Sequence, residues 1–321
     1  MSWGYVVRRI LLTIPAVFGI LTISFGLVYL LPGSPAHTLA GENADPARIA
    51  QIEQQYGLNQ SLPRQYGTYV ADVFQGDLGY SYTHGRPVTA VIRERLWPTA
   101  LLAGSAMLVS TVLGIAVGVV VARRPYGPLD AGASFGVLLG YSLPTFWLGQ
   151  LAILFLAIHL GWFPIGGMED LRNPTTGLQH VLDVGYHLVL PCLVLATAEV
   201  AMLARVTRSG LIEQLGSDYA RTAKGKGVPR GKVITEHALP NALLPVVTII
   251  GARAGLLFAG AVIVEQVFSW PGLGTLLVQS ARDGDRPLML GLVLLVAITV
   301  VLFNVVTDLA YAKIDPRVSY G

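Results

Sequence analysis

Six long apolar runs constrain this chain more than any other feature. They fall at about residues 10–31, 97–122, 131–158, 187–207, 241–267 and 287–311. Each can supply the ~20 apolar residues needed to cross a hydrocarbon core. Lipid offers no partner to backbone N–H and C=O groups, so such runs must be helices or closed barrels, and their length selects helices. The balance of residue types agrees: 13% are charged, where a soluble domain carries roughly 25%. The expected fold class is an all-α integral membrane protein with six transmembrane helices. Pro15, Pro144 and Pro245 lie inside these runs and predict kinks rather than breaks, because neighbouring helices can satisfy the freed carbonyls.

The first run follows Arg8 and Arg9 and could pass for a leader peptide. Its 22 residues, Ile10–Leu31, exceed the roughly 7–15 of a signal h-region, so it reads as a span. The one cysteine, Cys192, excludes an intrachain disulfide and says nothing of redox compartment. A net charge of +3 is too small to argue for nucleic acid.

Lys and Arg placement sets the expected orientation. With the N-terminus inside, the inside segments hold Arg8, Arg9, Arg123, Arg124, the cations from Arg205 to Lys232, Lys313 and Arg317. The short outside loops hold Arg172, Arg282 and Arg286. Arg93 and Arg95 run against the pattern, but they end a segment too long to obey the rule. Both termini are therefore expected in the cytoplasm.

The chain divides into an N-terminal segment with the first helix (1–31), an extracytoplasmic lobe (32–95) and a five-helix core (96–321) carrying a cytoplasmic loop at 209–240. In the lobe, "ENADPARIAQIEQQYGL" and "VTAVIRERL" read as short amphipathic helices, with the turn-rich "GDLGYSYTHGRPV" between them. Glycines recur every fourth residue at Gly132, Gly136 and Gly140, at Gly114 and Gly118, and at Gly251 and Gly255. That spacing lets helix backbones approach closely and predicts a compact bundle. No internal repeat is visible, so the inverted halves of many secondary transporters are absent from the pattern.

The loop between the fourth and fifth runs, "RTAKGKGVPRGKVITEHALP" at 221–240, carries Arg221, Lys224, Lys226, Arg230 and Lys232 with no acid among its first twelve residues. Ser217 or Asp218 can cap a helix there. Gly227 suits the left-handed residue that ends it, and Pro229 suits the first turn of a second helix. The result is a helix–turn–helix hairpin at the membrane surface. Its small residues Ala220, Ala223, Gly225 and Gly227 leave room for another protein to seat. Charge alone would equally serve orientation or contact with anionic headgroups. A nucleotide loop fails on spacing: three residues separate Gly227 from Gly231, Val233 follows Lys232, and no strand precedes.

Ionisable residues within a span are functional candidates, since a charge at the bilayer centre costs roughly 2.5–3.5 kcal/mol on insertion scales. Glu199 on the fourth run and Arg253 on the fifth both lie roughly 14–18 Å above the cytoplasmic helix ends, at ~1.5 Å per residue. They could pair, either locking two helices or lining a path. Glu265 and Asp308 lie near run ends, in interfacial or capping positions. His180, Asp183 and His187 share a helical face near His159, residue types that can hold a transition metal. The same residues suit an ordinary wet helix, and no metal site is assigned. No catalytic triad, carboxylate pair or zinc-type cysteine cluster is present, so the chain reads as a non-enzyme.

The loop resembles the signature of membrane subunits of ATP-binding-cassette importers: E-A-A, three residues, G, nine residues, then I-x-L-P. Here it reads Arg221-Thr222-Ala223, Gly227 and His237-Ala238-Leu239-Pro240. Arg221 and His237 depart from the usual Glu and Ile, in the manner of the peptide-permease branch. "GDLGYS", "RPVTAVIRERLWPTALL", "SLPTFWLGQL", "LGWFPIGG", "EQVFSWPGLGTLL" and "DLAYAKIDPR" are similar to the dipeptide, oligopeptide and nickel permease family, in its first-permease (B-type) branch. The resemblance implies a type I importer permease fold. It also implies a second permease subunit, two cytoplasmic ATPase subunits or domains, an extracytoplasmic substrate-binding protein and a peptide substrate. ATP would bind the partners, with no cofactor held by this chain. The coupling contacts would fall on Asp218, Arg221, Thr222, Ala223, Lys224, Gly225, Gly227, His237 and Pro240. A permease for a nickel chelate or other small solute is the alternative within the family; a self-contained channel or secondary transporter is the alternative outside it.

Overall fold

The structure, a computed structural model, describes residues 3–30, 36, 40, 44–55 and 57–314, with backbone alone at 3–13, 28, 30, 256–260 and 308–314. Helix α1 spans Trp3–Leu30 and keeps Pro15 inside it. Helices α2 (Pro46–Gln55) and α3 (Leu62–Phe74) follow, then the strands β1 (Tyr80–Ser81) and β2 (Arg86–Pro87). The strands pair antiparallel, Tyr80 opposite Pro87 and Ser81 opposite Arg86. Helix α4 runs unbroken from Val88 to Ala122, so "VTAVIRERL" is not a separate helix but the start of this one. No turn former separates the two, and Pro98 is absorbed within the helix.

Helices α5 (Pro128–Ser142) and α6 (Thr145–Ala152) meet at an angle of 103°, and α6 continues as a π-helical stretch, Ile153–His159. Pro144 therefore breaks this run rather than kinking it. The residue before a proline is pushed out of the α region, and Leu143 is extended at φ −81°, ψ 131°. Helix α7 (Leu178–Leu215) carries Pro191 inside it without a break.

Then come α8 (Asp218–Gly225), α9 (Arg230–Lys232), a π-helical stretch at Val233–Ala238, α10 (Leu239–Ala242) and α11 (Leu244–Val267). Pro245 stands in the first turn of α11, after a 47° bend. Helices α12 (Leu273–Arg282) and α13 (Arg286–Ile314) complete the described chain.

Among the described residues, three helices are long and apolar enough to cross a membrane: Val88–Ala122, Leu178–Leu215 and Arg286–Thr307. The bent pairs Pro128–Ser142 with Thr145–His159, and Arg230–Ala242 with Leu244–Gly255, bring the number to five if each is one span. In α1 the apolar stretch with described side chains is shorter, Ile14–Leu27.

The chain forms two units. One comprises Ala100–Trp270 with α13 from Leu302 onward. Its core joins Leu102 and Ala106 of α4 to Leu190 and Leu195 of α7, Val264 of α11, and Phe268 and Trp270. Glycine sets how closely its helices approach. A Cβ on Gly118 would lie 2.6 Å from Thr207 Cβ, and one on Gly114 2.6 Å from Leu203 Cβ. Gly251 is likewise closed off by Thr307. Gly132 and Gly136 have nothing within 4 Å, and in that series only Gly140 approaches a neighbour, Thr197. A four-residue glycine spacing thus made close contacts on α4 but not along most of α5.

The other unit comprises Trp3–Thr99 with Pro271–Val301. Phe25 and Tyr29 of α1 stack at 4.2 Å, and Phe25 meets Tyr66 and Tyr69 of α3. A second cluster joins Val88, Val91 and Ile92 to Leu273, Leu276, Leu288 and Leu292. The β-turn is tied down by a fully buried carboxylate. Asp285 Oδ2 accepts Ser81 Oγ at 2.5 Å, Thr83 Oγ1 at 2.8 Å and Thr83 N at 3.1 Å, while Oδ1 accepts Leu288 N at 3.2 Å.

Candidate functional site

The basic loop folds as a compact hairpin on the end of α7. Ser217 stands at the N-cap of α8 with extended backbone, but its hydroxyl donates to the Gln214 carbonyl at 2.6 Å and caps nothing. Asp218 supplies the negative charge that a helix N-terminus favours, and Lys224 the positive charge in the last turn. The helix closes with paired backbone bonds: Gly227 N donates to Lys224 O at 3.0 Å, and Val228 N to Ala223 O at 3.2 Å. This Schellman closure requires a left-handed residue at the turn, and Gly227 has φ +80°. A Cβ there would meet nothing within 4 Å, so backbone conformation rather than space demands glycine.

Pro229 lies one residue outside the second helix, at the N-cap of α9 with ψ 139°. From Arg230 the helix continues to Ala242 through its π-helical stretch, where Leu239 N reaches back to Ile234 O. Pro240 has no N–H for the carbonyl four residues before it, and a widened turn accommodates such a lost bond.

Ala220 and Ala223 are buried against Val233, Leu215 and Val228. Their smallness lets the two arms of the hairpin close on each other, and of the four small residues Gly225 and Gly227 are the exposed ones. The exposed side of the turn consists of Asp218, Arg221, Thr222, Lys224, Gly225, Lys226 and Gly227, with Pro240 exposed and His237 half-buried on the second arm. Arg221 Nη1 is 3.7 Å from Asp218 Oδ1 with both side chains solvated, a pair that adds little stability. Lys224 Nζ donates to the Leu215 carbonyl at 3.2 Å. Tyr219 clamps the hairpin's ends, its hydroxyl donating to Gln214 Oε1 at 2.6 Å and accepting Asn241 Nδ2 at 3.1 Å.

Deeper in the same unit, Arg253 Nη1 of α11 lies 3.0 Å from Glu199 Oε1 of α7, with side chains 32% and 12% exposed. The Glu265 side chain is fully buried; the side chain of Asp308 lies outside the described residues.

His180, Asp183 and His187 do not converge. His180 Nδ1 is 3.2 Å from Glu169 Oε2, and His187 Nδ1 is 3.2 Å from Asp183 Oδ1. Asp183 Oδ2 accepts the Asp170 N–H at 2.8 Å. His159 joins no such group; among the described residues no three His, Cys, Asp or Glu side chains are placed to share a metal ion. Asp170 caps its own turn, and the backbone N–H of Arg172, then the Asn173 side chain, hold its carboxyl below the usual range.

One pair escaped the sequence analysis. Arg208 of α7 forks onto Asp130 of α5, Nε to Oδ1 and Nη2 to Oδ2, both at 2.6 Å. The two are 78 residues apart, and Arg208 counted there only as one more cation at a helix end. The available signal was Asp130 itself, an acid at the head of an apolar run.

A family model described as the inner membrane component of binding-protein-dependent transport systems matches residues 114–320. The model of that component's N-terminal part matches residues 3–103. The chain is 40% identical to the oligopeptide transport system permease protein AppB of Bacillus subtilis (strain 168), over 99% of both chains. It is 39% identical to the dipeptide transport system permease protein DppB of Escherichia coli (strain K12), over 98% of both. It is 38% identical to the glutathione transport system permease protein GsiC of Pectobacterium atrosepticum, over 99% of both. Among solved structures, an inward-facing form of the MetNI methionine ABC transporter matches with a TM-score of 0.56 at 19% identity, covering 71% of this chain and 97% of that one. A crystal structure of an amino acid ABC transporter with histidines matches with a TM-score of 0.52 at 14% identity, covering 70% and 94%. At these identities the solved structures speak for the fold alone.

Proposed function

The chain belongs to the family of inner membrane components of binding-protein-dependent transport systems, and on that premise we propose that it is a permease subunit for ATP-driven uptake of di- and oligopeptides. The observation that carries the peptide assignment is full-length similarity to relatives named for oligopeptide, dipeptide and glutathione transport. In this reading it pairs with a second permease subunit, two cytoplasmic ATPase subunits or domains and an extracytoplasmic binding protein. Both termini lie in the cytoplasm, α1 counts as the sixth span, and the lobe at 32–95 faces outward.

The hairpin around Gly227 is the coupling element. Its exposed face, Asp218, Arg221, Thr222, Lys224, Gly225 and Gly227, seats in an ATPase, while Ala223, His237 and Pro240 hold the arm that presents it. A turn closed by paired backbone bonds and clamped by Tyr219 suits this role because an ATPase can push it without melting it. ATP-driven closure of the ATPases draws the hairpin inward and opens the spans outward; hydrolysis resets them. That is a two-state element biased by ligand. ATP binds the partners.

The test is uptake of labelled di-, tri- and longer peptides in cells lacking their own peptide import, with this chain expressed alone or with all its partner subunits. Uptake is expected only with the full set and only with ATP. Transport by the chain alone would establish a self-contained carrier, and uptake of metal chelates without peptides would overturn the substrate class.

A further inference from the structure

The turn between α4 and α5 is fastened at both ends. Arg230 Nη2, on the hairpin's second arm, donates to the Arg123 carbonyl at 2.6 Å. At the far end the Asp130 carboxylate accepts the Arg208 fork and, in addition, the Tyr126 N–H at 2.6 Å. Ser134 Oγ is 3.4 Å from Oδ1. Tyr126 has φ +64°, a conformation that L side chains resist and that persists only where the surroundings over-determine it. Its N–H is aimed at Asp130, and its ring centroid lies 5.9 Å from the Arg208 guanidinium.

Asp130 is 3% exposed. A buried carboxylate taking a two-pronged guanidinium and a backbone donor is a strong, directional joint. Releasing either partner strands a charge. Helix α4 is locked on α7 at Gly114 and Gly118. Helix α5 packs along α7, with grooves of about 270 and 350 Å³ among α4, α5 and α7. At Gly140 of α5 a Cβ would be 3.1 Å from Thr197. Asp130 stands in the first turn of α5, beside the turn that Arg230 of the hairpin grips at Arg123.

We propose that residues 123–130 form a strut that carries motion of the hairpin to α5 and α7, gripped by Arg230 at one end and bolted through Asp130 to Arg208 at the other. Asp130, Arg208 and Arg230 are positioning residues: they act through the helices they join. The proposal rests on the coupling reading of the hairpin given above.

The experiment uses the full complex, with its second permease, ATPases and binding protein, in proteoliposomes, and reads peptide taken up per ATP hydrolysed. Asp130→Asn and Arg230→Ala should each lower that ratio by about tenfold, within the usual range of coupling between sites, while the ATPases stay bound and hydrolysis continues. Combined, they should be little worse than either alone, because both sever one strut. Arg230→Ala removes an exposed side chain, so its result stands even if Asp130→Asn lowers expression. An unchanged ratio in Arg230→Ala, additive losses in the double variant, or losses that merely track the amount of folded subunit would each overturn the strut. Gly227→Val in the same assay separates the two ideas. If it uncouples while the strut variants do not, the strut alone fails; if none of the three changes the ratio, the coupling reading fails with it.

Discussion

Arg253 reaches Glu199 across 3.0 Å, although 54 residues separate them in the chain. The contact is single-pronged, unlike the fork between Arg208 and Asp130, and Arg253 keeps about a third of its surface open. Two helices of one unit, α7 and α11, are thereby joined within their apolar length.

This pair should behave as a coupled unit. Replacing Glu199 or Arg253 singly by Leu leaves the other charge in an apolar setting, so each single change should cost more than the double change. A cycle on the purified complex, read by thermal unfolding, should give a coupling of about 1–3 kcal/mol. Additive losses would mean the pair does not form in the membrane. A stable double variant that no longer transports would place the pair on the translocation path.

At Gly227 the expectation depends on backbone, not volume. Gly227→Val should cost about 1–2 kcal/mol locally, the penalty for a left-handed L residue. Gly227→Asn should cost less, because Asn tolerates that conformation. Transport should follow the same order, Gly above Asn above Val, at near-normal levels of inserted subunit. Equal activity of the Asn and Val variants would show that the turn's geometry is irrelevant to coupling.

The glycine series make opposite demands. Gly118→Ala should destabilise the subunit by about 1–3 kcal/mol through overpacking, since Thr207 Cβ and the Ala204 carbonyl stand 2.6 and 2.8 Å from the new methyl. Gly136→Ala should be neutral, with nothing within 4 Å. Both are read by thermal unfolding of the purified complex. A loss at Gly136→Ala would place a helix of another subunit on that face.

Asp285 should hold the lobe's turn. Asp285→Ala strands the hydroxyls of Ser81 and Thr83 and should cost about 1–3 kcal/mol, seen as faster protease cleavage between residues 75 and 90. Asp285→Asn, which keeps an acceptor, should be milder. Unchanged cleavage in the Ala variant would refute the tether.

Topology is best tested away from Ser81, which is fully buried on Asp285. In a Cys192→Ser background, Asn59→Cys and Lys226→Cys occupy exposed sites and should label from opposite sides of the membrane. Labelling of both from one side would overturn the proposed orientation.

The hairpin is largely legible in the sequence. A glycine after a short basic helix, with a proline two residues on, specifies a turn from nearest neighbours alone. The hairpin's inward contacts are not: Ser217 donates its hydroxyl to the Gln214 carbonyl, and Ala220 and Ala223 pack on Val233. Those choices depend on how the two arms close, which no residue in either arm encodes by itself.

The sequence by itself determined that the long apolar runs are helical, that Gly227 is where the loop turns, and which family the chain resembles. These follow from local rules: hydrocarbon leaves backbone groups no partner but each other, and a left-handed turn excludes most side chains. Only the tertiary structure decided that Pro144 breaks its helix while Pro98 and Pro191 do not. It alone joined Asp130 to Arg208 and Glu199 to Arg253, and closed Gly118 against Thr207 while leaving Gly136 open. Each of these turns on the rotation and spacing of helices far apart in the chain. Packing between side chains sets that geometry, and no periodicity along one segment records it.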